Sequence, residues 1–138
     1  MTPATSRRAL QVAIAVLGLV PVGGGLAGAL LGPDGVIPGG PTASYDVSVD
    51  SHFRYLSGLL LGIGLVAWSS IPGIERHGGR FRLITAIVFV GGLARLYGVL
   101  VMGWPAGPMV FGLVMELMVT PLLCLWQWQV ARALGSSA

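Results

Sequence analysis

Four long apolar blocks, separated by glycine, proline and charged residues, constrain the fold of this chain most strongly. They cover about residues 10–31, 53–71, 83–101 and 109–128. Each holds the roughly 20 mostly apolar residues with which a helix crosses a hydrocarbon core of about 30 Å. Their apolar residues run on without the spacing of a half-buried strand or of a helix with one wet face. The blocks therefore predict four membrane-spanning helices.

Composition supports this prediction. Charged residues make up 9% of the 138 positions and the mean hydropathy is +0.83, whereas a soluble domain carries roughly 25% charged residues. So little charge cannot cover a water-facing surface, and the lipid bilayer is the expected surrounding. The length suits one domain, and we expect residues 1–138 to form a single transmembrane domain.

The arginines predict the orientation of the spans. The chain has no lysine, and with four spans all but two of its eight Lys and Arg residues fall on one side of the membrane: Arg7, Arg8, Arg76, Arg80, Arg82 and Arg132. Arg54 lies on the other side, near Asp34, Asp46 and Asp50. Basic residues remain in the cytoplasm. We therefore expect a multi-pass protein of the bacterial inner membrane with both termini in the cytoplasm.

The first block has a second interpretation. Ser6, Arg7 and Arg8 before an apolar run that ends near Ala27, Gly28 and Ala29 resemble a secretory signal peptide. The apolar core of a signal peptide is 7–15 residues long, and this run is longer. We favour a retained first helix.

The links between the blocks differ in length. Residues 104–108 predict a tight, uncharged hairpin, and residues 32–52 predict one longer external loop rich in Gly and Pro. Within that loop, residues 45–49 alternate as a short strand does, and Asp50 or Ser51 suits the N-cap of the second span. The predicted fold is thus all-α, an integral membrane four-helix bundle with short loops and one longer external loop.

Small residues and prolines recur within the spans. Small residues let helices approach closely in lipid, and three stripes of them stand out: Gly24, Gly28 and Gly32; Gly58 and Gly62; Gly91, Ala94 and Gly98. They are compatible with packing within one chain or in a homo-oligomer. Pro21 and Pro121 interrupt the first and fourth spans. Such breaks are either plain kinks or the flanks of a binding site, as in transporters.

Arg95 and Glu116 are the charges that lie well inside the apolar blocks, away from the ends of the spans. A lone charge at that depth costs at least about 2.5–3.5 kcal/mol. The hairpin makes the third and fourth spans antiparallel neighbours, and both residues lie roughly 9–11 Å below the external surface. We therefore predict that they pair. The pair is either a structural ion pair or the floor of a small-molecule or proton-linked site.

A second polar group lies at the external start of the second span. It comprises Asp50, His52, Arg54 and Tyr55, and Tyr97 of the third span lies at a similar depth. We predict that these residues form the rim of an externally open pocket with Arg95 and Glu116 at its floor. They are candidate ligand-binding residues. His52 is more typical of an ordinary interfacial residue than of a pH sensor.

The sequence contains no motif for catalysis, metal binding or nucleic-acid binding. No paired His or Cys ligands and no phosphate-binding loop occur, so we expect no catalytic residues, no metal and no cofactor. The arginines do not cluster with aromatic residues on one face, which argues against nucleic-acid binding. Cys124 lies alone in an apolar run and is interpreted as a packing residue.

Residues 51–62, residues 91–96 and the position of Glu116 resemble a bacterial family of small four-span membrane proteins, the domain-of-unknown-function family 4345. The resemblance extends from the first span to Arg132 and implies the four-span architecture and the choice of Arg54, Arg95 and Glu116 as site residues. The family in turn is distantly similar to DoxX-type proteins, some of which are linked to quinone or thiol redox systems. No reaction follows from the resemblance.

Three functions remain open at this point. We favour a binding protein that holds a small, partly apolar ligand in the external pocket. The alternatives are a proton-coupled small transporter that acts as an oligomer, with Glu116 as the titrating group, and a membrane redox accessory subunit. An enzyme is less favoured than a binding protein.

Overall fold

The computed structural model describes residues 2–37 and 45–135, and every regular element within these ranges is helical. In chain order the elements are α1 (Pro3–Leu17), α2 (Leu19–Val36), α3 (Val47–Ser69), a short 3-10 helix (Ile74–Arg76), α4 (Gly78–Met102), α5 (Gly107–Val114), a π-helical segment (Met115–Val119) and α6 (Thr120–Gly135). The all-α prediction is confirmed for the described residues, and a helix lies at each of the four predicted spans.

Within the described ranges, three helical stretches are long and apolar enough to cross a membrane: Pro3–Val36, Gly78–Met102 and Gly107–Gly135. Helix α3 has the length, at 23 residues, but Asp50, His52 and Arg54 in its first turns lower its mean hydropathy. The apolar surface is poorly covered by the chain itself, since only 6% of the most apolar stretch of α4 is buried. Soluble proteins rarely expose so much contiguous apolar surface. The helices therefore indicate a membrane protein.

The chain forms two compact units, Ala13–Ser69 and Met1–Val12 with Ser70–Ala138. The first, called here the α2–α3 unit, is built on the pairing of those two helices. The second, called the α4–α6 unit, pairs α4 with α6 and with the π-helical segment. Its core comprises Leu10, Ile74, Phe81, Leu113 and Val130, all of them buried.

The predicted first span consists of two helices that meet at Gly18. Helix α2 begins directly after this glycine, so that Pro21 lies in its first turn, where the missing N–H costs no helical hydrogen bond. The second break is at Gly32, whose φ of 71° leaves the helical region just before Pro33. Pro21 therefore accompanies the start of a helix, and Gly32 interrupts α2.

Helices α2 and α3 approach closely through small residues that match the predicted stripes only in part. A Cβ on Gly25 would lie 2.5 Å from the backbone N of Leu61, and one on Gly28 would overlap the Ser57 hydroxyl. Gly24, Gly58 and Gly62 have open space where a Cβ would be placed. Of the predicted stripes in this unit, Gly28 and Gly32 are at close contacts and the rest face away from the interface.

Helix α3 begins earlier than predicted. Asp46 Oδ1 accepts a hydrogen bond of 2.8 Å from the backbone N–H of Ser48, as an N-cap does. Hydrogen bonds from the Ser48 side chain and backbone lower the pKa of Asp46. Neither Asp50 nor Ser51 is the cap, and the alternation at residues 45–49 leads into a helix, not a strand. The predicted loop of residues 32–52 is shorter at both ends, and its middle, residues 38–44, lies outside the described residues.

Side chains from α1 and α6 fasten the link between α3 and α4 within the α4–α6 unit. Gln11 Nε2 donates to the Ile71 carbonyl at 2.8 Å, and the buried Gln127 donates to the Ile74 carbonyl at 3.0 Å. The Trp126 indole N–H donates to the Ser6 hydroxyl at 2.9 Å. The two glutamines thus bond backbone carbonyls of the link, and the tryptophan joins α6 to α1.

Candidate functional site

Arg95 and Glu116 form a two-pronged ion pair inside the α4–α6 unit. Arg95 Nε donates to Glu116 Oε2 at 2.9 Å, and Nη2 donates to Oε1 at 2.8 Å. The predicted hairpin produces this meeting, because α4 ends at Met102 and α5 begins at Gly107. Parallel N–H···O bonds of this kind fix the plane of the guanidinium as well as its position. The predicted pairing of the two charges is confirmed.

The guanidinium has donors beyond those that Glu116 uses. Its Nη1 points to the sulfur of Met109 at 3.5 Å, and Met109 is the contact that the sequence did not reveal. A guanidinium has five N–H groups, and three of the five have acceptors among the described residues. The Arg95 side chain is 36% exposed and the Glu116 side chain 19%. The carboxylate is therefore more enclosed than the cation that it holds.

Small residues around the pair leave room for it. A Cβ on Gly112 would lie 3.8 Å from Arg95 Cζ, within ordinary contact. On α4 the close neighbour is the buried Gly92, where a Cβ would lie 2.7 Å from Leu117 Cδ2 and 2.9 Å from Glu116 Cβ. Gly91 and Gly98, which belong to the packing stripe predicted for this span, have open space. The predicted stripe is therefore displaced by one residue.

Glu116 lies in the π-helical segment Met115–Val119. The Thr120 backbone N–H bonds the Met115 carbonyl, and the Thr120 hydroxyl donates to the same oxygen at 2.9 Å. Pro121 follows at once and has no N–H to continue the helical pattern. Pro121 accounts for a local rearrangement of the helix, and π-helical turns are frequent at functional sites. Here the wider turn carries the carboxylate that faces Arg95.

Arg54 has a different environment in the α2–α3 unit. Its Nε donates to Asp50 Oδ2 at 2.7 Å, and its Nη1 donates to the carbonyls of Ala29 and Leu30 at 2.9 Å each. Those carbonyls are free because Pro33 has no N–H for Ala29 and the helix breaks at Gly32. Arg54 thus caps the interrupted end of α2 from the neighbouring helix.

The same arrangement explains Gly32. A Cβ at this position would lie 2.6 Å from both Arg54 Nη2 and Asp50 Oδ1. Its φ of 71° with ψ of −174° belongs to a region that only glycine enters readily. The sequence placed Gly32 in a packing stripe, whereas the structure places it under the Asp50–Arg54 ion pair.

The remaining predicted rim residues are exposed. His52 and Tyr55 have ring centroids 6.5 Å apart at the start of α3, and Tyr55 is 63% exposed. Tyr97 on α4 is 69% exposed. The predicted site therefore draws Asp50, His52, Arg54 and Tyr55 from the α2–α3 unit, and Arg95, Tyr97 and Glu116 from the α4–α6 unit. Each group is held by contacts within its own unit.

A third ion pair lies at the start of α1. Arg7 Nε donates to Glu75 Oε2 at 2.7 Å. Burial would raise the pKa of Glu75, but its backbone hydrogen bond and Arg7, together with the charge of Arg76, lower that pKa overall. This pair lies outside the apolar blocks, so it serves as a comparison for an ion pair that is not at membrane depth. Its sequence signal was weak, because the two residues are 68 positions apart.

Within residues 2–37 and 45–135, no three His, Cys, Asp or Glu side chains lie close enough together to hold a metal ion. Cys124 is half-buried and forms no disulfide there.

A family described as a domain of unknown function, DUF4345, matches residues 9–127. The chain belongs to this family. The match covers all the apolar blocks except the last residue of the fourth and includes Arg54, Arg95 and Glu116. No curated protein and no solved structure matches the chain. The family assignment agrees with the expectation from sequence and carries no activity with it.

Proposed function

We propose that this protein of the DUF4345 family resides in the bacterial inner membrane as a four-helix bundle with cytoplasmic termini. We further propose that it binds a small, partly apolar ligand through Arg95, in a pocket open to the external side. Glu116 orients the guanidinium and balances its charge. The ligand would offer a carbonyl or an anionic group to the guanidinium and an apolar body to the surrounding side chains.

The observation that carries the proposal is the unequal enclosure of the ion pair. Glu116 engages one edge of the guanidinium, while two N–H groups of Arg95 have no acceptor among the described residues. A sulfur is a weak acceptor for a third. The Arg95 side chain is 36% exposed, so these N–H groups are accessible from outside the unit. A ligand oxygen at this edge of the guanidinium could accept hydrogen bonds from them.

The membrane part of the proposal rests on the exposed apolar faces and on the arginine distribution. It requires α3 to span, although its first turns are polar. Arg54 supports this: its guanidinium engages Asp50 and two α2 carbonyls at the start of the helix, and the apolar residues follow it. The bonded polar groups would lie at the external surface, where they remain compatible with a span.

Cysteine labelling separates four spans from three. In a Cys124→Ser background, Gly79→Cys and Gly107→Cys introduce one thiol each at positions with open space. A membrane-impermeant maleimide should label Gly107→Cys in intact cells and Gly79→Cys only after permeabilisation. If α3 did not span, the two positions would exchange their behaviour. Thr2→Cys provides the reference for the N-terminal side in both cases.

Native mass spectrometry of gently solubilised protein tests the ligand part. Wild-type protein should carry a non-protein mass that Arg95→Gln loses. The matched control is Arg7→Gln, which also removes one arginine from an ion pair in the same unit. Loss of the mass in both variants, or in neither, would count against a site at Arg95. No contact among the described residues favours transport or redox chemistry, which remain predictions.

A further inference from the structure

A groove runs along the face that α4 and α6 share, away from the Arg95–Glu116 pair. Its volume is about 320 Å³, and it is lined by Arg82, Thr85, Ala86, Phe89, Pro121 and Cys124. A second groove of about 210 Å³ shares Arg82 and Cys124 with the first and adds Leu125, Gln127 and Trp128. On each helix the lining residues recur every three to four positions, so that they form one stripe per helix. Both grooves lie within the α4–α6 unit.

The groove is apolar along its length and cationic at one end. Arg82 lies in the second turn of α4, and Phe89 lies seven residues further along, which is about 10 Å deeper. Arg82 has no ion-pair or hydrogen-bond partner among the described residues, whereas Arg7, Arg54 and Arg95 each hold a carboxylate. A second cation is nearby, because the Arg132 guanidinium lies 3.9 Å above the centre of the Trp128 ring.

The flanks of the groove are apolar and exposed. Leu83, Ile87 and Val90 on α4 and Leu122 on α6 each follow a lining residue directly in the chain, and each is more than half exposed. A ligand would therefore enter sideways from the bilayer. A cation at the membrane surface, next to an apolar groove, suits a lipid with an anionic headgroup.

We infer that this groove binds an anionic phospholipid of the cytoplasmic leaflet. The phosphate contacts Arg82 and one acyl chain lies along Ala86, Phe89 and Pro121. Arg132, held on Trp128, adds attraction for the same headgroup. The inference rests on the membrane location and orientation proposed above, and it is independent of the ligand at Arg95.

The test uses the full chain in detergent, with phosphatidylglycerol and phosphatidylcholine of identical acyl chains added in turn. Native mass spectrometry should show preferential retention of phosphatidylglycerol by wild type. Arg82→Gln should lower that preference about five-fold, because the phosphate loses its direct contact with a guanidinium in the groove. The matched control is Arg80→Gln, which removes the same charge from an exposed residue of α4 that does not line the groove. The control should keep the wild-type preference.

Cys124 locates the lipid, because it is the single cysteine of the chain and lines both grooves. Its alkylation by N-ethylmaleimide should slow with phosphatidylglycerol in wild type and change little in Arg82→Gln. Equal loss of preference in Arg80→Gln and Arg82→Gln, or unchanged alkylation of Cys124 with either lipid, would overturn the inference. Alkaline carbonate extraction of the starting membranes measures membrane embedding separately, so that failure of the location and failure of the groove are distinguishable.

Discussion

Arg95 holds Glu116 through two parallel hydrogen bonds of 2.8 and 2.9 Å, and it keeps part of its guanidinium free. The two residues come from helices joined by a link of four residues, 103–106. The short link makes the contact inexpensive in chain entropy, since little backbone must be ordered to close it. Because the pair forms between neighbouring helices, it holds the Arg95 guanidinium in a fixed position and orientation within the α4–α6 unit.

Single and double substitutions of the pair should behave differently in stability. Arg95→Leu leaves Glu116 without its partner and should lower the free energy of unfolding in detergent by about 2.5–3.5 kcal/mol. Glu116→Leu should cost a similar amount. The double Leu variant removes both charges and should recover most of the loss, as apolar replacements of ion pairs often do. Thermal unfolding measures all three; additive losses in the double variant would contradict the account.

Gly32 should tolerate no side chain. Gly32→Ala places a Cβ against Arg54 and Asp50 and forces a non-glycine residue to φ of 71° with ψ of −174°. The expected loss is about 2–3 kcal/mol. Gly24→Ala in the same helix meets open space and should be neutral or slightly stabilising. Equal melting temperatures for the two variants would show that the strained turn and its Arg54 cap are absent in the folded protein.

Gly92 should couple helix packing to the ion pair. In Gly92→Ala the new methyl group meets Leu117 and the Cβ of Glu116, so the π-helical segment must shift. Overpacking of this kind costs about 1–3 kcal/mol, and it should also weaken any ligand retained at Arg95. Gly91→Ala has open space and provides the control one residue away. If Gly92→Ala retained as much ligand as wild type, the packing contact at Gly92 would have no influence on the site at Arg95.

The Arg7–Glu75 pair should make stability depend on pH in the acid range. The pKa of Glu75 is lowered in the folded state, so its contribution is full above the ordinary glutamate pKa of about 4.3. The contribution is lost as the pH falls through the lower, folded pKa. The difference in melting temperature between wild type and Glu75→Gln should therefore shrink as the buffer is taken from neutral to below pH 4. If the difference in melting temperature grew on acidification, the pKa of Glu75 would be raised by folding and not lowered.

Much of this fold follows from the amino-acid sequence. Length and hydropathy predict the helices, because a run of apolar residues between breakers has few other structures open to it in lipid. The meeting of Arg95 and Glu116 follows from the short hairpin and equal depth. What hydropathy does not reveal is the rotation of each helix. Neighbouring positions such as Gly91 and Gly92 differ by about 100° around the helix axis, and composition does not indicate which one faces the partner.

The role of Arg54 shows a second limit of the sequence. Pro33 removes the donor for the Ala29 carbonyl, which is visible in the sequence, but the group that replaces it lies 25 residues away. Only the pairing of α2 with α3 brings them together. The sequence therefore predicts a ligand-binding residue at Arg54, whereas its contacts account for it as a helix cap; a ligand-binding role for Arg54 remains a prediction.

The most direct test of ligand binding is to compare wild type with the Arg95→Leu/Glu116→Leu double variant by native mass spectrometry under the same gentle solubilisation. The double variant should regain most of the stability that either single variant loses, so a lost ligand mass reports the site and not the fold. Wild type should retain a small ligand in addition to any phospholipid bound in the α4–α6 groove, and the double variant should lack that ligand. Retention of the ligand mass by both proteins, or its absence from both, would contradict a ligand held by Arg95.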